Sequence, residues 1–388
     1  SILSSKIEAN IVSGVGIGGG IFVQQGSDLN IRNSSIRYNF ANSSIMLHRI
    51  MYDNSIRSFS PGIGAQGGGI CGRNGSFIFL KDSILSSNKI SSEGDGAALN
   101  AASSTMVTLE NCTLSSNDIL LSHNESYIRS SFSSDLFNNS YFSTRGGRGG
   151  AVYVFDDSNL NVKGGRIFSN CGTYGGGIAT SINGSVLLSH DVQLSNNIAW
   201  KDGGAIYGDR WGKITMTNKT QIISNQAFRV GGAIALNNTE ESHFSWSTSE
   251  LHITGHVKVK NNSAAKHGGG IFSLGSARLN FSNVVFEQNS ASSGDGGLMY
   301  VGDKGEVNLF STIAASNSAS NRGGLVFLSG SSKFECENST IVSNSASAGG
   351  VFYTLDLGTS TTIANSNIYR NRALKSSGGV LFVSAFSE

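Results

Sequence analysis

The stretch Gly203-Gly204-Ala205-Ile206-Tyr207 returns as Gly231-Gly232-Ala233-Ile234-Ala235, and between the two lies Ile222-Ile223-Ser224-Asn225. A Gly pair followed by a small and then an apolar residue is one mark. An apolar residue, two of any kind and Asn is the other. Working outward, the second glycine falls at Gly176, Gly204, Gly232, Gly269, Gly297, Gly324, Gly350 and Gly379. The Asn falls at Asn170, Asn197, Asn225, Asn262, Asn289, Asn317, Asn344 and Asn371, six to eight residues before the glycine each time. Upstream, Gly19, Gly68 and Gly150 continue the first mark, and Gly96 continues it imperfectly. Asn39, Asn88 and Asn117 continue the second. Lys6 takes the Asn place if Ile2-Leu3-Ser4-Ser5-Lys6 is aligned on Ile84-Leu85-Ser86-Ser87-Asn88. Self-similarity at roughly 27 residues is the signature of a solenoid, so residues 1–388 read as one domain of about eleven or twelve units.

Each unit has the same internal order. An apolar run follows the glycines, as in Leu325-Val326-Phe327. A polar turn leads to an alternating stretch, as in Arg278-Leu279-Asn280-Phe281. A second turn leads to the apolar-x-x-Asn segment, as in Ile341-Val342-Ser343-Asn344. Alternation and Val/Ile/Phe/Thr enrichment predict three short strands per unit. Gly, Ser and Asn recur too often for helices. The single proline, Pro61, suits a ladder that uses every N–H. Three short strands repeated in this way predict an all-β, right-handed parallel β-helix, the hand following from the crossover rule. Stacked about 4.8 Å apart, the coils would form a rod of roughly 55 Å. The glycines are expected where a corner needs φ > 0 and stacked corners leave no room for a Cβ. The Asn marks are expected to tolerate αL and to donate to their own position one coil away. Asn88, Asn117, Asn170, Asn197, Asn225, Asn262, Asn289, Asn317, Asn344 and Asn371 then form a structural ladder.

The chain has 50 glycines, 14% charged residues and a net charge of +2. That balance suggests neither nucleic acid nor an electrostatically steered partner. No apolar run reaches membrane-spanning length. The chain opens at Ser1 and closes within a coil at Phe386-Ser387-Glu388, so a processed or partial product is expected, its ends covered by further chain or by a second molecule.

The paired marks resemble those of the chlamydial polymorphic membrane proteins, whose passenger domains repeat Gly-Gly-Ala-Ile and Phe-x-x-Asn. Gly203-Gly204-Ala205-Ile206, Gly231-Gly232-Ala233-Ile234 and Phe286-Glu287-Gln288-Asn289 match outright. Elsewhere Ile, Leu or Val replaces Phe. The resemblance implies a surface-displayed adhesin secreted as an autotransporter, although no outer-membrane barrel is visible in this chain. Similar repeats occur in protist surface proteins and in β-helical filament subunits, so the motif specifies fold more than role.

Candidate N-glycosylation sequons stand at Asn33, Asn42, Asn74, Asn111, Asn124, Asn138, Asn183, Asn218, Asn237, Asn280 and Asn338. A further one at Asn261 abuts the ladder and is the least favoured. Asn33, Asn111 and Asn338 share one turn; Asn74, Asn183 and Asn237 share another. Cys71, Cys112, Cys171 and Cys336 occupy four different places in the repeat and fit neither a disulfide column nor a zinc pattern, so buried thiols are the favoured reading. His252 and His256 lie four apart on a strand and carry no metal geometry. Asp95, Asp202 and Asp295 precede glycine marks and are read as solvated corner residues, with a calcium or catalytic column as the rival. Trp200 and Trp211 flank one coil, where packing is favoured over a sugar platform. No acidic cluster of the kind that polysaccharide-cleaving β-helices carry is visible.

The repeat loosens at 40–66, 118–148 and 238–247, and less at 1–18, where excursions would gather on one face. Segment 118–148 is read slightly more readily as a degenerate coil, because Leu136-Phe137-Asn138-Asn139 restores the Asn mark and Gly147 follows. The sequence therefore predicts a non-enzymatic extracellular structural β-helix, a segment or subunit of a surface filament, with sequons that admit N-glycosylation. It needs no metal or cofactor and associates head to tail or continues in a longer chain. The alternatives are an adhesin binding host cells or glycans, and a polysaccharide-degrading enzyme.

Overall fold

The computed structural model describes residues 1–13, 16–42, 65–91, 94–120, 147–238, 248–356, 358–375 and 377–384. One coil read in full shows how the repeat becomes structure. After Gly268-Gly269-Gly270 the chain runs straight as Ile271–Leu274, turns at Gly275, and continues as Ala277–Glu287, which bends at Asn283 with φ 55°. Gln288, at φ 56°, turns the chain into Asn289 and the two-residue strand Ser290–Ala291, after which Gly296 opens the next coil at φ 69°. Equivalent strands pair in parallel with the coils above and below. The result is a β-solenoid of about 11 turns of about 28 residues, with three sheets and no helix among the described residues. The strands after the glycines form a 12-stranded sheet, both arms of the bent segment share a 20-stranded sheet, and the short strands form another of 12.

Alternation sets the core. In Ala277–Glu287 the odd positions up to Phe281 point inward, and the bend at Asn283 resets the phase so that Val284 and Phe286 do too. The inward side chains stack in columns, one being Ile222, Val259, Phe286, Ala314, Ile341 and Ile368 in register. Ile222, Phe286 and Ile341, fully withdrawn from water, each contribute about 1.5–3 kcal/mol. In the short-strand sheet the inward column is filled in register by Ala264, Ala291 and Ala319, and nearer the N-terminus by the buried Ile90 and Ile119.

Two roles separate within the Gly pair. The first glycine takes φ near +65°, as Gly231 (67°) and Gly323 (66°) do. The second has an ordinary φ but lies under the backbone of the next coil: a Cβ on Gly232 would overlap the Gly269 carbonyl oxygen. Gly96 is the first kind (φ 70°), not the second as the sequence suggested, and Ala97 stands at the crowded place. There the ladder bond from Ala97 N–H to the Gly149 oxygen stretches to 3.4 Å, against 3.0 Å at Gly204.

The first coil also differs from its expected register. Lys6 does not occupy the Asn place; Lys6–Glu8 pairs with Ser35–Arg37, and Ile7-Glu8-Ala9-Asn10 carries the mark. Ile2–Leu3 belongs to the other arm of the bent segment, against Ile31-Arg32. Asn117 bonds directly to Asn170, and Leu99 pairs with Val152. Leu136-Phe137-Asn138-Asn139, on which the reading of a degenerate coil rests, lies outside the described residues. The irregular stretches at 40–66, 118–148 and 238–247 fall largely outside the described residues. Within them, Phe40–Ala41 and Asp118–Ile119 are ordinary short strands.

Candidate functional site

The most ordered polar feature is the amide ladder, which runs from Asn10 through Asn39, Asn88 and onward to Asn371. In each coil the Asn backbone N–H and its Nδ2 both donate to Oδ1 of the next Asn. Asn225 reaches Asn262 Oδ1 at 2.9 and 3.0 Å, and its Nδ2 also donates to the Leu194 carbonyl at 3.1 Å. Every buried group of the amide is thereby satisfied. The ladder residues themselves do not take φ > 0. The residue before each does, including Ser87, Ser224, Gln288 and Arg370. Asn is required here for its side-chain amide, not for left-handed tolerance.

The sequons divide by conformation. Asn33, Asn111 and Asn338 sit at the bend inside the long segment with φ 48–52°. Asn74, Asn183 and Asn218 likewise occupy left-handed turns, and all six are exposed. Asn42, Asn237 and Asn280 are half-buried, and Asn280 Nδ2 lies 3.3 Å from His252 Nδ1. Asn124 and Asn138 lie outside the described residues.

Asp95, Asp202 and Asp295 are not solvated. Their side chains are buried, and each meets an arginine from the next coil. Arg322 holds Asp295 through its backbone N–H at 3.1 Å, Nε at 2.9 Å and Nη2 at 2.8 Å. Arg229 grips both oxygens of Asp202, with Nε at 2.7 Å from Oδ1. Asp95 Oδ1 accepts the Arg148 backbone N–H at 2.9 Å. The Arg148 guanidinium, itself largely buried, donates to Tyr153 Oη at 3.0 Å and stands 3.9 Å from Asp209 Oδ2. Burial pushes the Asp95 carboxyl up to about 6, against the opposing pull of Arg148. The carboxylates are dry because the glycine corner folds them beneath the neighbouring coil. The clue in the sequence was Asp and Arg immediately before the first glycine of successive units, Asp95 and Arg148, Asp295 and Arg322.

A second feature went unread. The residue after the inward apolar residue of the glycine-side strands faces the other way, and in successive coils it is Phe272, Tyr300, Phe327, Tyr353 and Phe382. Their rings stack with centroids 4.8–5.6 Å apart, and Arg322 lies over Phe327 and Tyr353. Offset stacking adds about 0.5–1.5 kcal/mol per pair. The same position is Tyr153, Ala179, Tyr207 and Ala235 upstream, where small residues separate the rings. Trp200 packs on Phe228 at 5.1 Å, the packing role favoured for it.

Chemistry-bearing groups are otherwise dispersed. Cys71, Cys112 and Cys336 are buried and not disulfide-bonded; burial raises the Cys71 thiol to about 12 and the Cys112 thiol to about 11, so neither is a nucleophile at neutral pH. Among the described residues no group of three or more His, Cys, Asp or Glu could hold a metal ion, and no helix is long and apolar enough to cross a membrane. Among the described residues, one surface depression of about 310 Å³ lies among His190, Asp191, Asn218, Lys219, Gly255 and His256, where the bend is two residues wide. Another, of about 430 Å³, runs across five coils on the outer face of the bent segment.

Fold and ladder together define the class, a parallel β-solenoid with an internal asparagine ladder. No family model, curated protein or solved structure matches the chain.

Proposed function

We propose that this chain is a non-enzymatic structural rod of the cell exterior, a segment or subunit of a surface filament built by stacking coil on coil. The observation that carries the reading is the polarity of the amide ladder. Asn10 donates to Asn39, and among the described residues none donates to its own Oδ1. Asn371 accepts from Asn344, so the ladder runs in one direction through every described coil, and a further coil would accept from the Asn371 N–H. One end surface therefore offers the acceptor and the other the donor. The apolar columns agree: Ile363, Ile368 and Leu381 would fall onto Ile2, Ile7 and Ile21, and Phe382 would extend the aromatic stack onto Phe22. Whatever precedes or follows these residues, each end is shaped for another coil of the same repeat, from the same polypeptide or a second copy. A heterologous contact of that kind does not close, so it propagates. The exposed left-handed Asn33, Asn74, Asn111, Asn183, Asn218 and Asn338 would carry glycans at the corners without disturbing the stacking surfaces.

Sedimentation across concentration, with electron microscopy of the same samples, tests this. The chain is expected to form end-to-end oligomers, and Ile368→Asp, which places a charge on one stacking surface, is expected to stop growth. A concentration-independent monomer would overturn it. A second reading, an adhesin that binds glycans, is favoured by the long groove on the outer face.

A further inference from the structure

We infer that the groove on the outer face of the bent segment binds a neutral glycan chain laid along the solenoid axis. The inference rests on the adhesin reading, and it concerns the side of the rod rather than its ends. The groove has a volume of about 430 Å³, within the range of ligand sites and enough for a short oligosaccharide. Its floor repeats with the coils, so hydrogen-bonding groups recur about every 4.8 Å. Asn280, Asn308, Glu335 and Thr362 follow one another in register on neighbouring strands. Asn308 Nδ2 donates to Asn280 Oδ1 at 2.9 Å, which orients both amides along the groove. In the adjacent column Phe310 stands between Ser282 and Glu337, with 45% of its surface exposed. It supplies an apolar ring in an otherwise polar floor.

The chemistry selects the ligand. Glu335 and Glu337 project from the same face of one strand and enter no ion pair among the described residues. The cations of that face lie to one side of the groove: Arg278 faces Glu306 at 3.7 Å, and Lys333, two residues before Glu335, pairs in register with Glu306. The charged residues lining the groove are these two carboxylates, which disfavour nucleic acid, sulfated glycans and polyuronates, yet carboxylates accept from adjacent sugar hydroxyls. A peptide strand has little to hold here. The backbone N–H and C=O groups of these strands are spent on the coils above and below, so no edge is free for strand addition. What remains is a polymer of neutral hydroxyls with an apolar ring face. That fits amide and carboxylate partners repeated at coil spacing, with Phe310 stacking on one sugar.

The test titrates the folded chain with cello-, chito- and manno-oligosaccharides of increasing length, and with heparin and polygalacturonate, by calorimetry. At least one neutral series is expected to bind, with affinity rising with length until the groove is filled. Phe310→Ala should weaken it about tenfold, the loss of one stacked ring. Asn308→Ala should also weaken it. Phe77→Ala, an equally exposed aromatic on the same sheet but outside the groove, should change nothing. All three side chains are at the surface, so folding is retained and is checked by circular dichroism. No neutral binding at about 1 mM ligand, binding of the anionic polymers instead, or equal effects of Phe310→Ala and Phe77→Ala would each overturn the inference. None of these results bears on end-to-end growth, which sedimentation reads separately.

Discussion

At the corner between the bent segment and the short strands, amide meets amide in every coil from Asn10 to Asn371. At the bend inside the long segment, the equivalent ladder is made of hydroxyls and survives only at the two ends. There Ser5 N–H reaches Ser34 Oγ and Ser34 N–H reaches Ser83 Oγ; far along the rod Thr312 N–H reaches Ser339 Oγ and Ser339 N–H reaches Ser366 Oγ. Between them the position is Cys112, Gly165, Val192, Thr220, Val257 and Val284. Both corners turn through left-handed backbone, by one residue in most coils, so backbone geometry does not explain the difference. Partner count does. An Asn side chain joins two coils through both oxygen and nitrogen, and removing it orphans groups on each side. A hydroxyl receives a single N–H, and an apolar residue can fill the same volume. The position that tolerates a substitute drifts, and the one that does not stays fixed.

The glycine corner extends this comparison to its limit and gives the largest expected effect. Gly232→Ala pushes a methyl into the backbone of the next coil, where no side chain can move aside. A cost of about 3 kcal/mol is expected, read as a lower denaturant midpoint. Gly75→Ala, where nothing lies within 4 Å, keeps only the strain of its φ of 72°, about 1–2 kcal/mol. Equal costs would mean that crowding is not what holds the second glycine.

The same corner carries the pH prediction. Asp95 holds its proton more tightly folded than unfolded, since its carboxyl is raised to about 6 from an unfolded value of about 3.9. Its contribution is therefore fully present below about pH 4 and is lost as pH rises through 6. The expected loss is about 2–3 kcal/mol. Asp95→Asn keeps an acceptor for the Arg148 N–H and should flatten stability over that window. An unchanged pH profile in Asp95→Asn would assign the dependence elsewhere.

Asn225→Ala is expected to cost about 1–3 kcal/mol, because the Asn197 N–H and Nδ2 lose their shared acceptor in a dry corner. Ser339→Ala orphans only the Thr312 N–H and should cost about 0.5–1.5 kcal/mol. Hydrogen exchange at Asn197 and Thr312 would report each directly, and indistinguishable protection losses would break the comparison between amide and hydroxyl corners.

How much of this was legible follows from the same asymmetry. The Asn and Gly marks could be read because one residue type answers a need that recurs in every coil. The first coil was misread because Ile2-Leu3-Ser4-Ser5 imitates Ile84-Leu85-Ser86-Ser87, while Ile7 and Asn10, which satisfy the ladder, sit in a less similar context. The Asp–Arg clamps were missed because each is a pair spread over adjacent coils, and Asp95 meets its partner 53 residues away rather than 27. The groove lay in residues that vary from coil to coil, and only the register brings Asn280, Asn308 and Glu335 into line.

The smallest expected effect is the sharpest test of the tolerant corner. Thr254 pairs with Ser282 and Val257 with Val284, so Gly255-His256 stands opposite Asn283 alone. One residue has thus been added at this bend without disturbing either arm, and His190-Asp191 and Asn218-Lys219 repeat the doubled form with both residues left-handed. Inserting a glycine after Asn283 would copy that arrangement in a coil that now has the single form. Gly adopts φ > 0 without strain, the bend is exposed, and the inward phases of Phe281 and Val284 are already independent across it. A change within about 0.5 kcal/mol is expected in chemical denaturation. The same glycine inserted between Phe286 and Asn289 would shift Asn289 off both Asn262 and Asn317, and should cost more than Asn225→Ala. If the two insertions destabilised the rod equally, the tolerance of the bend would not come from its freedom from a two-sided partner, and the contrast between the corners would need another cause.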